Sequence, residues 1–553
     1  MNNQRNIHTK LDVPKLFGHM VTTAAKGKIV ENMTKFQLGT KPGHRAQEHL
    51  FVAHSTIQLY NLCGKAVIVQ LYDIQKFFDR EMLRDCMDAL YNSGIRGKLY
   101  RLLYQMNKQT NVRVRTGVGL SDNQVTGEGV GQGTLEGALL SASSIDYTVD
   151  NFFRNSIYEI SYGSIKLQPL LYQDDVFRLC LDPFSAQIGN EFMDNIMETK
   201  LLDFNLDKSC YMVVGNKSAK AEIKDHFKVQ PLTLSGKPMK EVEHEKYLGD
   251  YISASGTAES SFITTSKRHK KSLNALYEIK AVIEDCRAEV VGGIVTGLEI
   301  WELAVIPYLI NNCETWACMP QKTLDILDSL QNQFLRSLLA TPRGTPTPAL
   351  MWETGTSTMG NRILKRKLFF LHHLFNLPET SLANQCAIMQ EEMSLPGLIS
   401  EIKEVLAELD LPNMKSVSKI QWKNLVNKMI LKKNKDDLVN MAKKYKKIDS
   451  EEMASEKFER KSYMTDLRMD QARMKFRIRT KMVKNIKLNF KNDPKSVKAL
   501  WKCPECSHLD SQEHVLWCEG YTDLRLNKDL SRDKDLTTYY QQVMNMREKN
   551  EKK

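Results

Sequence analysis

Two places in this chain gather side chains that could do chemistry. The first is Tyr172-Gln173-Asp174-Asp175, a polar centre between two short apolar runs that extend from Ile165 to Leu181. Adjacent carboxylates in an apolar setting repel each other and lose hydration, so they need a cation to stay ionised together. Mg²⁺ suits them, because it takes one or two carboxylates and fills its other positions with water and substrate phosphates. The second place is Cys503-Pro-Glu-Cys506, followed by His514 and Cys518. The Cys-x2-Cys pair offers two thiolates from one turn, and a His and a Cys one helical turn apart can meet them in a closed tetrahedral zinc site. His508 is an alternative fourth ligand, and free thiols are the plain alternative to a metal.

The elements around these residues must bring them to one point. The flanking hydrophobics read as a buried hairpin with the acids at its tip, against a solvated surface turn. Upstream, Ala66-Val-Ile-Val-Gln-Leu-Tyr72-Asp73-Ile74 is a β-branched run that predicts a buried strand ending in an acid. Asp79, Arg80 and Glu81 open an amphipathic helix with Leu83, Met87 and Leu90 on one face. Residues 111–130 predict a hairpin. The loop from Gly127 to Gly137, with Gln132 and Gly133 inside it, leads into a small-residue helix over Ala138 to Asp150. Such glycines permit close approach either to a ligand or to packed neighbours. A helix over Ala186 to Leu202 precedes a turn, Asp203 to Lys208, that enters a strand reaching Val214; Lys246 to Ile252 gives another short strand and turn. Ahead of all this, Gln37 to Arg45 is a Gly/Pro-punctuated basic turn carrying Lys41, followed by helical spacing over Ala46 to Leu62. The pattern is α+β, an antiparallel sheet layered by helices on one side.

From Ser261 to Ala340 the reading is helical, with Leu324, Leu327, Leu330, Phe334 and Leu338 forming a core-facing stripe. Thr341 to Pro348 reads as a linker. Beyond it a helix-rich region turns basic from Lys415 to Lys498, either a solvated face or a nucleic-acid contact. The 553 residues carry 78 Lys+Arg against 66 Asp+Glu, a net charge of +12 that is compatible with a polyanionic partner. Eleven cysteines at uneven spacing and a polar start point to a reduced, intracellular protein. The most apolar segment, Leu298 to Ile310, is broken by Glu299, Glu302 and Pro307 and is too short to cross a bilayer, so no membrane partner is expected.

Asp73, the Gln132 loop and the Tyr172–Asp175 hairpin resemble, in order and spacing, the successive palm motifs of a reverse transcriptase, closest to LINE-type non-LTR retrotransposon polymerases. Phe78, five residues after Asp73, and the Phe78-Asp79 pair fit the first motif. Gly131-Gln132-Gly133 resembles the family's Gln-Gly loop, and Asn205-Leu-Asp-Lys208 the motif after the catalytic hairpin. Tyr247-Leu-Gly249 resembles the primer grip, and Gln37-x-Gly39 through Arg45 a fingers motif. The chain departs from the pattern at Thr134-Leu135, where Ser-Pro is usual, and at Thr40-Lys41, where Phe-Arg is common.

The resemblance implies an RNA-directed DNA polymerase acting on an RNA template, a DNA primer or target, and dNTPs. Asp73, Asp174 and Asp175, with the carbonyl of Ile74, would hold two Mg²⁺ ions. Phe78 would stand beneath the incoming sugar, Gln132, Gly133 and Lys41 would meet the nucleotide, and Lys208 would protonate pyrophosphate or be a plain surface lysine. The implied architecture is a right-hand polymerase: partial fingers over 1–64, palm over 65–255, helical thumb over 256–340, basic helical region over 341–499, a zinc knuckle over 500–521 and a charged tail over 522–553. Earlier fingers strands and an endonuclease are not expected within the chain, which reads as the polymerase portion of a larger frame with nuclear or nucleocytoplasmic access. A catalytically inactive remnant that only binds nucleic acid is the alternative, and a DNA-templated or intron-encoded polymerase a third reading.

Overall fold

The computed structural model describes residues 12–108, 110–117, 119–126, 129–285, 291–341, 344–408, 411–412, 414–445, 448–483 and 502–551. The polar start before residue 12, Gly127 and Glu128 of the glycine loop, and 484–498 of the basic region lie outside them. The chain divides into two units, one comprising 1–263, 314–319 and 370–417, the other 264–313, 320–369 and 418–553.

The first unit is built on a five-stranded sheet: β1 (Ala66–Tyr72), β2 (Leu170–Tyr172), β3 (Asp175–Cys180), β4 (Cys210–Gly215) and β5 (Lys240–Glu241), in the order β5-β4-β1-β3-β2. Only the β4–β5 pair is parallel. The predicted strand and hairpin are present, and β1 lies at the centre, buried along its whole length. Its near-continuous apolar run is what a strand covered on both faces requires. Ile68 and Tyr72 face the helices Leu135–Phe153 and Pro183–Lys200, where Ile145, Ala186, Met193 and Ile196 complete the core. The helix Ala46–Leu62 packs on β1 and β4 from the other side. Helices therefore cover both faces of the sheet, where one was expected, because β1 carries no polar face that water could solvate.

Below the acidic end of the sheet the interior is polar and tightly paired. Arg178 donates to Gln70 Oε1 at 2.6 Å and to the Ser185 carbonyl at 2.9 Å, while Gln70 and Tyr72 both donate to Asn190 Oδ1 at 2.8 Å. Glu81 does not open a helix as expected; the helix begins at Leu83, and Glu81 is buried against Lys200 Nζ at 2.8 Å. Ser144 Oγ accepts from the same ammonium at 2.7 Å, so a buried cation has two oxygen partners.

The second unit is helical. In Gln321–Leu338 the residues Leu327, Leu330, Phe334 and Leu338 of the expected stripe are buried, and Phe334 stacks on Trp301 with ring centroids 4.4 Å apart. The Thr341–Pro348 stretch lies inside this unit, and Pro348 sits in the first turn of the helix Thr347–Thr354, where a missing N–H costs nothing. Residues expected as a charged tail include the helix Asp533–Glu551, whose Tyr539, Tyr540 and Val543 are buried in one core with Cys503, Cys518 and Tyr521. Among the described residues, no helix is long and apolar enough to cross a membrane.

Candidate functional site

The β1–β3 register brings the expected acids to one edge. Tyr72 lies opposite Val176 in this antiparallel pair, so continuing the register by one residue sets Asp73 opposite Asp175. Directly opposed residues in such a pair are about 4.5–5.5 Å apart at Cα. Asp174 stands beside Asp175 in the turn between β2 and β3, whose Tyr172↔Asp175 pairing leaves only Gln173 and Asp174 at the tip. Gln173 takes a left-handed conformation there, φ +59°. Carboxylates 101 and 102 residues apart in the chain thus share one end of the sheet, with the side chain of Asp73 partly exposed and that of Asp175 exposed.

Asp73 is bracketed from the other side by the turn after Asp203. Gln75 N–H donates to the Asp203 carbonyl at 2.9 Å and Asn205 N–H to the Asp73 carbonyl at 2.7 Å, a bridge that pairs Ile74 with Phe204. These two bonds leave the Ile74 carbonyl out of the bridge. The Asp73 N–H donates to Ser209 Oγ at 3.1 Å, and Lys208 Nζ lies 3.7 Å from Asp73 Oδ2. Lys208 is therefore a neighbour of the acids, on an exposed side chain. Tyr247 stacks on Phe177 of β3 at 4.5 Å, and burial, followed by the field of Asp175, pushes its hydroxyl well above the usual range.

The acidic turn is held by a residue that the motif reading did not place in the site. Gln37 is fully buried; its Oε1 accepts from the Gln173 N–H at 3.0 Å and its Nε2 donates to the Gln173 carbonyl at 3.3 Å. Leu38 N–H donates to the Leu171 carbonyl and Leu171 N–H to the Phe36 carbonyl, so Phe36–Leu38 lies parallel to β2 as an added edge. A Cβ on Gly39 would stand 2.5 Å from Gln173 N, so the close approach needs glycine. The Gln37-x-Gly39 spacing was the available signal.

Phe78 and the glycine loop are neighbours. Val130 N–H donates to the Phe78 carbonyl at 2.8 Å, and a Cβ on Gly129, at φ +88°, would meet the Asp79 carbonyl at 2.7 Å. Phe78 packs against both cores of this region, while Gln132 is half-buried and Gly133 exposed in the turn that Thr134 ends by capping the helix Leu135–Phe153. Lys41 is expected to meet the nucleotide. Its ammonium donates to the Met33 and Thr34 carbonyls at 3.1 and 2.5 Å, and burial lowers its pKa. It closes the end of the helix Asp12–Asn32, where unpaired carbonyls favour a cation.

In the second unit the ligand atoms of Cys503, Cys506, His514 and Cys518 all lie within 4.8 Å of one another. Cys503 Sγ is 3.7 Å from Cys518 Sγ, Cys506 Sγ is 3.5 Å from Cys518 Sγ, and Cys506 Sγ is 3.1 Å from His514 Nε2. Tetrahedral zinc with Zn–S near 2.3 Å sets its sulfurs about 3.7 Å apart, so the donor set fits that ion. Burial, and then hydrogen bonds with Cys506 and Cys503, push the Cys518 thiol up to about 12, so a cation is what would hold it as a thiolate. Ser511 caps the helix Gln512–Trp517 and accepts from the His514 N–H; His508 is exposed, its carbonyl accepts from Cys503 N–H and its ring stacks on that of His514 with centroids 5.9 Å apart. Arg547 donates to Asp510 at 2.8 Å and to Tyr521 Oη at 2.7 Å, and its guanidinium lies 3.9 Å from Cys503 Sγ.

The chain thus has a mixed α/β unit with a small, largely antiparallel sheet and a Cys3His cluster able to hold a metal such as zinc. No family model matches it, and no curated protein matches it in sequence. Among solved structures it is similar to a telomerase from Candida albicans in complex with a fragment of telomeric RNA, at 12% identity and a TM-score of 0.33, over 72% of this chain and 59% of that one. It is also similar to an apo telomerase from Candida tropicalis, at 9% identity and a TM-score of 0.34, over 75% of this chain and 61% of that one. The chain spans less than two thirds of either. Similarity at this level does not establish a shared fold.

Proposed function

We propose that the chain is an RNA-directed DNA polymerase of reverse-transcriptase type, in the manner of LINE-type non-LTR retrotransposons, adding dNTPs to a primer 3′-hydroxyl. The observation that carries this reading is the strand register that sets Asp73 opposite Asp175, with Asp174 beside it, at an open end of a buried sheet. Asp73, Asp174 and Asp175 are the residues that would hold two Mg²⁺ ions, with the Ile74 carbonyl beside them. Bound there, the ions would stabilise the attacking and leaving oxygens of the nucleotidyl transfer. In this reading the sheet would be a palm.

The chain's own groups supply position and protons. Phe78, anchored in two cores, would present a rigid edge to the sugar of the incoming nucleotide, and Gln132 and Gly133 would line the pocket next to it. Lys208 Nζ, already drawn to Asp73, would hold the proton that departing pyrophosphate needs. Lys41 would act by fixing the Gln37 segment, since its ammonium is committed to backbone carbonyls. The template would be RNA and the primer or target DNA, and copying a chromosomal element would require nuclear access.

Primer extension on an RNA template with dNTPs and Mg²⁺ tests this, with Asp174→Asn as the matched variant. The native chain should extend the primer, and the variant should lose activity on the order of 10²–10³-fold with unchanged melting. Equal incorporation by both, or none by the native chain, would leave only a nucleic-acid-binding protein.

A further inference from the structure

One buried ammonium in the first unit ties together three elements. Lys200 ends the helix Pro183–Lys200, and its side chain is 1% exposed. Its Nζ donates to Glu81 Oε1 at 2.8 Å and to Ser144 Oγ at 2.7 Å, with Asp85 Oδ2 3.6 Å away. Glu81 follows the short helix Phe77–Arg80 and donates its N–H to the Phe77 carbonyl at 2.8 Å, so the bond to Lys200 reaches the turn that carries Phe78. Ser144 lies in the helix Leu135–Phe153, which leads out of the glycine loop containing Gln132 and Gly133. We propose that Lys200 is a positioning residue: by tying Glu81 to Ser144 it sets the gap between Phe78 and the Gln132–Gly133 turn, and so the choice between deoxyribose and ribose in the incoming nucleotide. This inference rests on the polymerase reading.

Three observations converge on that role. First, the pair is more than packing requires. Glu81 and Lys200 are both withdrawn from water, and an apolar pair of the same volume would hold the fold at least as well, so what the charges add is direction. Burial raises the Glu81 carboxyl and Lys200 opposes that rise, which keeps an acceptor on the ammonium. Second, the neighbouring contacts fix only one end of the loop. Val130 N–H is bonded to the Phe78 carbonyl, but Gln132 and Gly133 lie beyond it, and Thr134 ties them to the helix of Ser144. The apolar core shared by Leu139, Leu140, Met87 and Leu90 is non-directional and lets a helix slide; a hydrogen bond of 2.7 Å does not. Third, Phe78 is itself held in one attitude: it is partly exposed, and its ring meets that of buried Phe77 edge-on with centroids 5.7 Å apart. A fixed ring discriminates between sugars only if the facing turn is fixed as well, since a misplacement on the order of 1 Å costs about 10²-fold in rate.

Primer extension by the full chain with Mg²⁺, on one primed RNA template, gives kcat/KM for dNTPs and for rNTPs, and their ratio is the readout. The native chain should prefer dNTPs. Ser144→Ala removes only the tie to the glycine-loop helix and should lower that ratio by about tenfold, seen as a fall in KM for rNTPs rather than in kcat for dNTPs. Lys200→Met alone would strand the Glu81 charge in the interior, so it is combined with Glu81→Gln; this neutral pair should lower the ratio at least as much. Ile223→Ala, a cavity elsewhere in the core of the same unit, should lower melting and leave the ratio unchanged. A native ratio in both network variants, with extension continuing, overturns the role of Lys200 and leaves the polymerase reading standing. An equal fall in Ile223→Ala also overturns it, because loosening of any kind would then suffice. No extension by the native chain fails the polymerase reading itself, and this inference falls with it.

Discussion

The acidic end of the first unit and the Cys/His cluster of the second both gather groups that call for a cation, yet they are built in opposite ways. The acids come from positions 101 and 102 residues apart, and the shared sheet register aligns them. Their side chains are left open, and the rigidity lies beneath them in paired polar side chains. The thiols and imidazole come from 16 residues, converge to within 4.8 Å and are closed over by a buried arginine and three tyrosines. An open set of oxygen ligands leaves positions for substrate, while a closed set of four soft ligands leaves none. In the proposed reading the first arrangement would turn over, while the second would only hold.

That contrast is broken most directly at the cluster. The native chain should carry one zinc, measured by elemental analysis, and Cys503→Ser should lose it. Structural zinc contributes on the order of 10 kcal/mol in small modules, so the largest effect expected is loss of protease resistance across 502–551. The acids predict the reverse pattern: substitution there should leave melting unchanged. A Cys503→Ser chain that stayed resistant to proteolysis would mean the tyrosine core holds the module without metal.

The two regions were also unequally legible in the sequence. The cluster was readable because its ligands are local, and the helix Gln512–Trp517 fixes which histidine joins. The strand ending at Asp73 and the hairpin at Asp174 were readable from apolar runs that stop at acids. Their meeting depended on register, which no single segment contains. Gln37 was seen as part of a basic turn, because a glutamine's two bonds to a backbone 136 residues away leave no local pattern. Lys41 was expected to meet the nucleotide, and nothing in the turn says that its ammonium also closes the end of the helix Asp12–Asn32. The apolar face of Asp533–Glu551 (Leu536, Tyr539, Tyr540, Val543) has helical spacing, but its charged neighbours hid it.

A buried carboxyl near the clamp gives a control for the open ones. Asp146 accepts from the Thr34 N–H at 2.8 Å and the Thr34 hydroxyl at 2.5 Å, and burial pushes its pKa up to about 6. Its unfolded value is near 3.9, so the folded state binds the proton more tightly. Its contribution is present in full below pH ~4 and lost as pH rises through ~6, a change of about 3 kcal/mol. Urea midpoints of the native chain and Asp146→Asn, compared from pH 4 to 7, should diverge with that slope. Parallel curves would mean that the two Thr34 bonds already keep the carboxylate charged.

A modest effect on stability carries the sharpest information about the acidic end. Gln37→Ala removes both bonds to Gln173 in a fully buried setting, which costs about 1–3 kcal/mol. Zinc content should not change, because the clamp and the cluster lie in different units. Primer extension should fall further than the stability loss explains, since the turn carrying Asp174 would lose its lateral anchor while β1 still held Asp73 in place. Gln37→Glu separates geometry from packing: it keeps an acceptor for the Gln173 N–H but loses the donor to the Gln173 carbonyl. Extension by Gln37→Glu between that of Ala and the native chain would tie activity to the position of the turn. Activity that tracked melting alone in both variants would reduce Gln37 to a core residue, and the open acids would then be aligned by the β1–β3 register without help.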